Sequence, residues 1–172
     1  VLQFLYGIYT KKYISIIEIK NKIWNEFYFL NMMSYSDKIY SILEKQGKKD
    51  IIKQIKSGKI SLNSAIKEDG YFITDLDVWA FFNIEKIPVL LFSESNFQSM
   101  MTHTNWIIND TTLDKKHYFI RTNKDYEYSI IETPMELKKL AHFSDKMKTI
   151  SSTKSDDIIY NNININDYLE LY

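Results

Sequence analysis

The chain has 172 residues, and its 22 Lys+Arg balance 22 Asp+Glu, so neither a wholesale basic nucleic-acid binder nor an acidic solvating chain fits. A hydrophobic fraction of 45% and an aromatic fraction of 15% exclude disorder throughout. With no cysteine, disulfides, thiolate metal sites and a cysteine nucleophile within these residues are excluded. Arg121 is the single arginine, so the other 21 basic residues are lysines. That imbalance reflects A/T-rich coding, and surface lysines carry less functional weight for it. No apolar run reaches the length of a transmembrane helix. No secretory signal is visible either, and an intracellular, non-secreted setting is expected. The apolar opening VLQFLYGIY suggests the C-terminal part of something longer.

Residues 1–13 read as a strand or as the end of a helix. Ser15-Ile16-Ile17-Glu18 is a capping box, in which hydroxyl and carboxylate each satisfy an orphan backbone donor. Apolar residues at Ile16, Ile19, Ile23, Trp24, Phe27 and Leu30 then predict a helix over about 15–32. Further helices are expected over about 36–46, broken by Gly47, and over 48–57, closed by Gly58. A short one follows at 61–66, and Glu68-Asp69-Gly70 reads as a turn.

Thr74-Asp75-Leu76-Asp77 is a second capping arrangement, with both carboxylates in a first turn that favours negative charge. Ile87-Pro88-Val89-Leu90-Leu91-Phe92 is a continuous apolar run suited to a strand covered on both faces. Residues 94–116 read as a loop, with a short helix possible at 96–101. Strands are expected at 117–121 and 126–131, joined by a hairpin loop at 122–125. Thr133-Pro134-Met135-Glu136 starts a helix ending near 149. The Ser-, Asn- and Asp-rich residues 151–172 read as a mobile tail after one domain over 1–150. The expected fold class is α/β (α+β): a helix-rich N-terminal half, a small mixed sheet with a central buried strand, and a C-terminal hairpin plus helix.

Most chemistry-bearing residues have a plain structural role available. Asp75 and Asp77 could pair for metal or acid–base work, but helix capping accounts for both. A nuclease pattern fails, because Glu94 is followed by Asn96 where a lysine is needed. His103 and His142 stand alone, and no histidine spacing suggests zinc; no metal or cofactor is expected. Lys48, Lys49 and Lys53, with neighbours from Lys38 to Lys59, make a basic stretch. It could contact phosphates or an acidic protein, or be a solvated helix face. The missing arginines and interleaved aromatics make nucleic acid an unlikely partner, and no membrane contact is expected. Trp106, in the 94–116 loop, could cover a cleft or touch a partner.

The segment Tyr71-Phe72-Ile73-Thr74-Asp75-Leu76-Asp77-Val78-Trp79, then Ile87-Pro88-Val89-Leu90-Leu91-Phe92, then His117-Tyr118-Phe119, resembles the second half of OTU-like cysteine peptidase domains. The likeness is to the divergent versions carried by large DNA viruses, and it covers roughly residues 15–132. It implies hydrolysis of isopeptide bonds to ubiquitin or a similar modifier, which would be the protein partner alongside other domains of the same polypeptide. In that chemistry a Cys attacks, a His holds it as thiolate, and an Asp or Asn orients the imidazole. Only His117 matches a catalytic position. The Asp-Gly-x-Cys nucleophile segment is absent, and Phe119 stands where Asp or Asn is common. The nucleophile then lies upstream of Val1, or the domain is a catalytically inactive interaction module; a nucleic-acid-associated accessory domain is the third alternative. These residues alone cannot carry out the peptidase reaction.

Overall fold

The computed structural model describes residues 1–87, 89–93, 105–108, 118–123 and 125–130. The chain divides into two compact units, Val1–Glu85 and Lys86–Tyr172. The first is helical and the second contains strands.

The first residues form a helix, α1 (Leu2–Thr10), which settles the open choice for 1–13. Leu2 and Leu5 are buried. Lys11 ends α1 in the left-handed region at φ 61. Gln3 Nε2 donates to the Ile14 carbonyl at 2.9 Å and fastens the connection to the next helix. The Ser15–Glu18 capping box forms: the Ser15 amide donates to Glu18 Oε2 at 2.7 Å, and the Glu18 amide to Ser15 Oγ at 3.2 Å. It starts α2 (Ile16–Ile23).

The expected pair of helices over 15–32 and 36–46 is one longer run. From α2 the chain passes through a wide π-type turn, Trp24–Tyr28, into α3 (Phe29–Leu43). Tyr35, at φ −133 and ψ 18, kinks α3 without ending it. No glycine or proline lies there to stop a helix. A glycine does act at Gly47, whose φ of 90 falls inside the second wide turn, Glu44–Lys48. Then come α4 (Lys49–Lys56), α5 (Leu62–Lys67) capped by Ser61, and α6 (Asp75–Ile84). Ile19, Ile23, Ile39, Leu43, Ile52, Ile66, Leu76 and Phe81 make the apolar core. Fully burying such a side chain contributes roughly 1.5–3 kcal/mol. Phe27 meets Trp79 edge-on at 5.7 Å between ring centroids.

In the second unit, β1 (Val89–Ser93), β2 (Asn105–Ile108), β3 (Tyr118–Thr122) and β4 (Tyr128–Ile130) form a four-stranded sheet in the order β2-β1-β3-β4. β1 is antiparallel to β2, with Phe92 opposite Trp106. It is parallel to β3, with Val89 opposite Tyr118 and Leu91 opposite Ile120. β3 and β4 are antiparallel. The hairpin loop falls at 123–127, later than expected, because Asn123 organises it. Asn123 Oδ1 accepts from the amides of Asp125 and Glu127, each at 2.9 Å. The expected loop over 94–116 is corrected at 105–108, which pair with β1 as an edge strand. That pairing is between distant segments and leaves little trace in a four-residue Asn-Trp-Ile-Ile sequence. The expected helices at 96–101 and 133–149, the tail 151–172 and His117 lie outside the described residues.

Candidate functional site

The densest polar cluster is built around Asp77, in the first turn of α6. Its Oδ1 accepts from the hydroxyls of Tyr28 at 2.7 Å and Tyr71 at 2.9 Å. Its Oδ2 accepts from Lys48 Nζ at 2.6 Å, the Thr74 amide at 2.9 Å and Thr74 Oγ1 at 3.2 Å. Lys48 Nζ also donates to Thr74 Oγ1 at 2.9 Å and lies 3.9 Å from the Tyr71 ring centroid. Five donors therefore saturate one carboxylate.

Local sequence delivers each partner. Tyr28 ends the first wide turn and Lys48 ends the second. Gly47, left-handed just before Lys48, reverses the chain there. Gln46, fully buried, accepts from the Leu76 amide at 3.2 Å through its Oε1 and satisfies an orphan donor at the start of α6. Lys20, also buried, donates from Nζ to the Glu68 carbonyl at 2.5 Å and pins the loop that carries Tyr71.

Burial pushes the Lys48 amine down, while the Asp77 charge beside it acts the other way. Burial, then the Asp77 charge, pushes the Tyr28 and Tyr71 phenols well up, so both stay neutral donors. Lys48 is 1% exposed and Asp77 0%. Closed to solvent, this cluster meets no soluble substrate. It ties α6, both wide turns and the loop before α6 into one piece. Elsewhere in this unit Lys22 reaches Glu85 at 2.6 Å, and that hydrogen bond raises the Lys22 amine.

The expectation of Lys48 as a surface contact is corrected: its ammonium turns inward to the Asp77 carboxylate. Lys49 and Lys53 are exposed on α4. Lys48 and Lys53 thus face different environments, although both belong to the same basic stretch. Trp106 stands in β2 at the sheet edge instead of in a loop. Asp75 and Asp77 do lie in the first turn of α6, where capping put them. Sequence reasoning missed the convergence of Tyr28, Lys48 and Tyr71 on Asp77. One signal was available: Lys48 sits at the N-cap of α4, against the helix dipole, which calls for a nearby anion.

Among the described residues no group of three His, Asp or Glu side chains is placed to hold a metal, and no helix is long and apolar enough to cross a membrane. No family model, curated protein or solved structure gives a significant match to this chain.

Proposed function

We propose that the chain is part of an OTU-like domain, of the divergent kind found in large DNA viruses, that cleaves ubiquitin-type conjugates when a thiol is supplied from outside these residues. The observation carrying this reading is the parallel pairing of β1 and β3, with Val89 opposite Tyr118. The apolar strand after Pro88 thus has as its neighbour the strand that His117-Tyr118 introduces in the sequence. A reading of these segments as an OTU-like domain needs the two strands to be neighbours, and their pairing supports it. In the proposed reaction a thiolate attacks the isopeptide carbonyl, and the His117 imidazolium gives its proton to the departing lysine amine. Water, deprotonated by the imidazole, then hydrolyses the thioester and regenerates the thiol.

A ubiquitin carrying a C-terminal electrophile tests this on a longer polypeptide that includes these residues and a Cys-bearing segment. A covalent adduct that His117→Ala slows by at least about a hundredfold supports the reading. A folded polypeptide that forms no adduct overturns it.

A second reading, a non-catalytic module that binds a ubiquitin-like or other protein, is favoured by two facts of sequence. Cysteine is absent, and Phe119 takes the place of the residue that would orient the histidine. Titrating ubiquitin into the 172-residue chain tests it, with saturable binding and no cleavage expected.

A further inference from the structure

α4 carries its charge on one side. At 3.6 residues per turn, Lys49, Lys53 and Lys56 fall within an arc of about 60°, and Asp50 lies about 100° from Lys49. All three lysines are exposed, while Ile52 faces the core fully buried. Lys45 and Lys59, also exposed, bracket the helix. Lys56 is held by Glu44 at 2.7 Å. Among the described residues no carboxylate lies within ion-pair distance of Lys45, Lys49, Lys53 or Lys59.

This concentration is local. Residues 45–59 contain six lysines and one aspartate, whereas the rest of residues 1–85 contain six lysines and nine carboxylates. Of the six, Lys48 is neutralised by Asp77 and Lys56 is paired with Glu44, which leaves Lys45, Lys49, Lys53 and Lys59. Lys49 and Lys53 are also a like-charge i, i+4 pair, which weakens the helix that bears it. A carboxylate docked across them relieves that repulsion.

We propose that the exposed lysine face of α4 is a docking surface for an acidic protein segment, recognised through its Asp and Glu side chains. The chemistry of the face favours carboxylates over a nucleic-acid backbone. It has no guanidinium fork for phosphates. α4 itself bears no aromatic residue to stack bases, and the Tyr40 ring beside it, 5.9 Å from Lys56 Nζ, is half-buried. The inference deepens the interaction-module reading by naming a face and a partner chemistry, and it does not depend on thiol chemistry.

The 172-residue chain is titrated into a fluorescent 15-residue Glu-Gly-Ser peptide and, separately, into an oligothymidylate of matched charge, in low salt. The peptide is expected to bind, and binding should fade as salt shortens the screening length to below about 10 Å. Lys49→Glu/Lys53→Glu should weaken it by at least about tenfold. Lys12→Glu/Lys67→Glu, which changes total charge equally, should leave it within about twofold. Circular dichroism confirms that both variants fold. No peptide binding, or equal loss in the two variants, overturns the proposal. Oligothymidylate binding as tight as the peptide's overturns the choice of carboxylate partner. None of these outcomes bears on ubiquitin-probe labelling, so the two readings fail separately.

Discussion

The helical unit and the strand unit satisfy their buried polar groups by different means. In the strand unit the described hydrogen bonds are mainly backbone ladders, with β1 paired on both edges. Ile87, Val89 and Ile120 there are buried apolar residues. In the helical unit a buried ammonium, a buried carboxylate and two buried phenols satisfy one another across 6 to 49 residues of sequence. A ladder spreads its energy over many equivalent bonds. A cluster around one carboxylate concentrates it, so removing that carboxylate should open the helical unit more than removing any single ladder bond opens the sheet.

Asp77→Ala should give the largest effect. It strands the Lys48 charge in the core, and breaking a buried pair from one side costs about 3–5 kcal/mol. Urea unfolding monitored by circular dichroism reads this directly. The sharper version is the double variant Lys48→Met/Asp77→Leu, which removes both charges and should be less destabilised than Asp77→Ala alone. If Lys48→Met/Asp77→Leu is instead additive, the two groups are not coupled and the concentrated-energy picture is wrong.

Ile120→Ala probes the other side of the comparison. Ile120 is fully buried in β3, opposite Leu91 of β1 and Ile130 of β4. Truncating it should cost about 2–5 kcal/mol. Hydrogen exchange should quicken at β3 and its ladder partners, whereas Asp77→Ala should quicken exchange in α6. Faster exchange in α6 alone on Ile120→Ala would dissolve the distinction between ladder and cluster.

The difference also sets what could be read from the sequence. Interactions of short range were legible: the Ser15–Glu18 box, the acidic first turn at Asp75 and Asp77, and the glycines at 47 and 58. The apolar run at 87–92 was legible as a strand, described at Val89–Ser93, because its length and β-branched start leave few other options. Long-range arrangements were not. The N-cap position of Lys48 calls for an anion, but nothing local names it, since the partner is an aspartate 29 residues away. Tyr28 reads as any core aromatic until its hydroxyl finds Asp77. β2 was missed for the same reason, because its partner strand decides its conformation. The break expected between residues 32 and 36 is only a kink at Tyr35 inside α3, while the wide turn at Trp24–Tyr28 leaves the apolar spacing almost unchanged and so stayed hidden within the expected 15–32 helix.

Tyr28→Phe should have an intermediate effect, and its pH dependence gives the sign. The Tyr28 and Tyr71 phenols are raised above 10.0 in the folded protein, first by burial and then by Asp77. Stability from a raised group is complete below the unfolded value and is lost as pH climbs through the folded one. The urea midpoint should therefore fall once pH passes about 10. Lys48, with its amine lowered by burial, acts in the opposite sense and at lower pH: its contribution recovers as pH rises toward the unfolded lysine value of about 10.4 and adds no slope above it. Tyr28→Phe loses a hydrogen bond to a charged group, about 1.5–3 kcal/mol at neutral pH. It should also show a shallower alkaline decline, since one titrating phenol is gone. An unchanged alkaline slope would mean that Tyr28 does not carry the effect.

The smallest effects separate conformation from contact at two glycines of the helical unit. Gly58, at φ 74, follows α4 with nothing within 4 Å of an added Cβ, so Gly58→Ala meets only the backbone preference. That preference is about 1–2 kcal/mol for a left-handed residue. Gly47, at φ 90, would place its Cβ 3.8 Å from Phe72 Cζ, an ordinary contact. Sterically the two substitutions should be equal. Gly47, however, immediately precedes Lys48, and any relaxation of its φ swings the ammonium away from Asp77. Gly47→Ala should therefore be the more destabilising, and the excess should vanish in the Lys48→Met/Asp77→Leu background, where no ammonium needs aiming. Equal effects in both backgrounds would show that the turn at Gly47 serves the path of the chain and not the placement of Lys48.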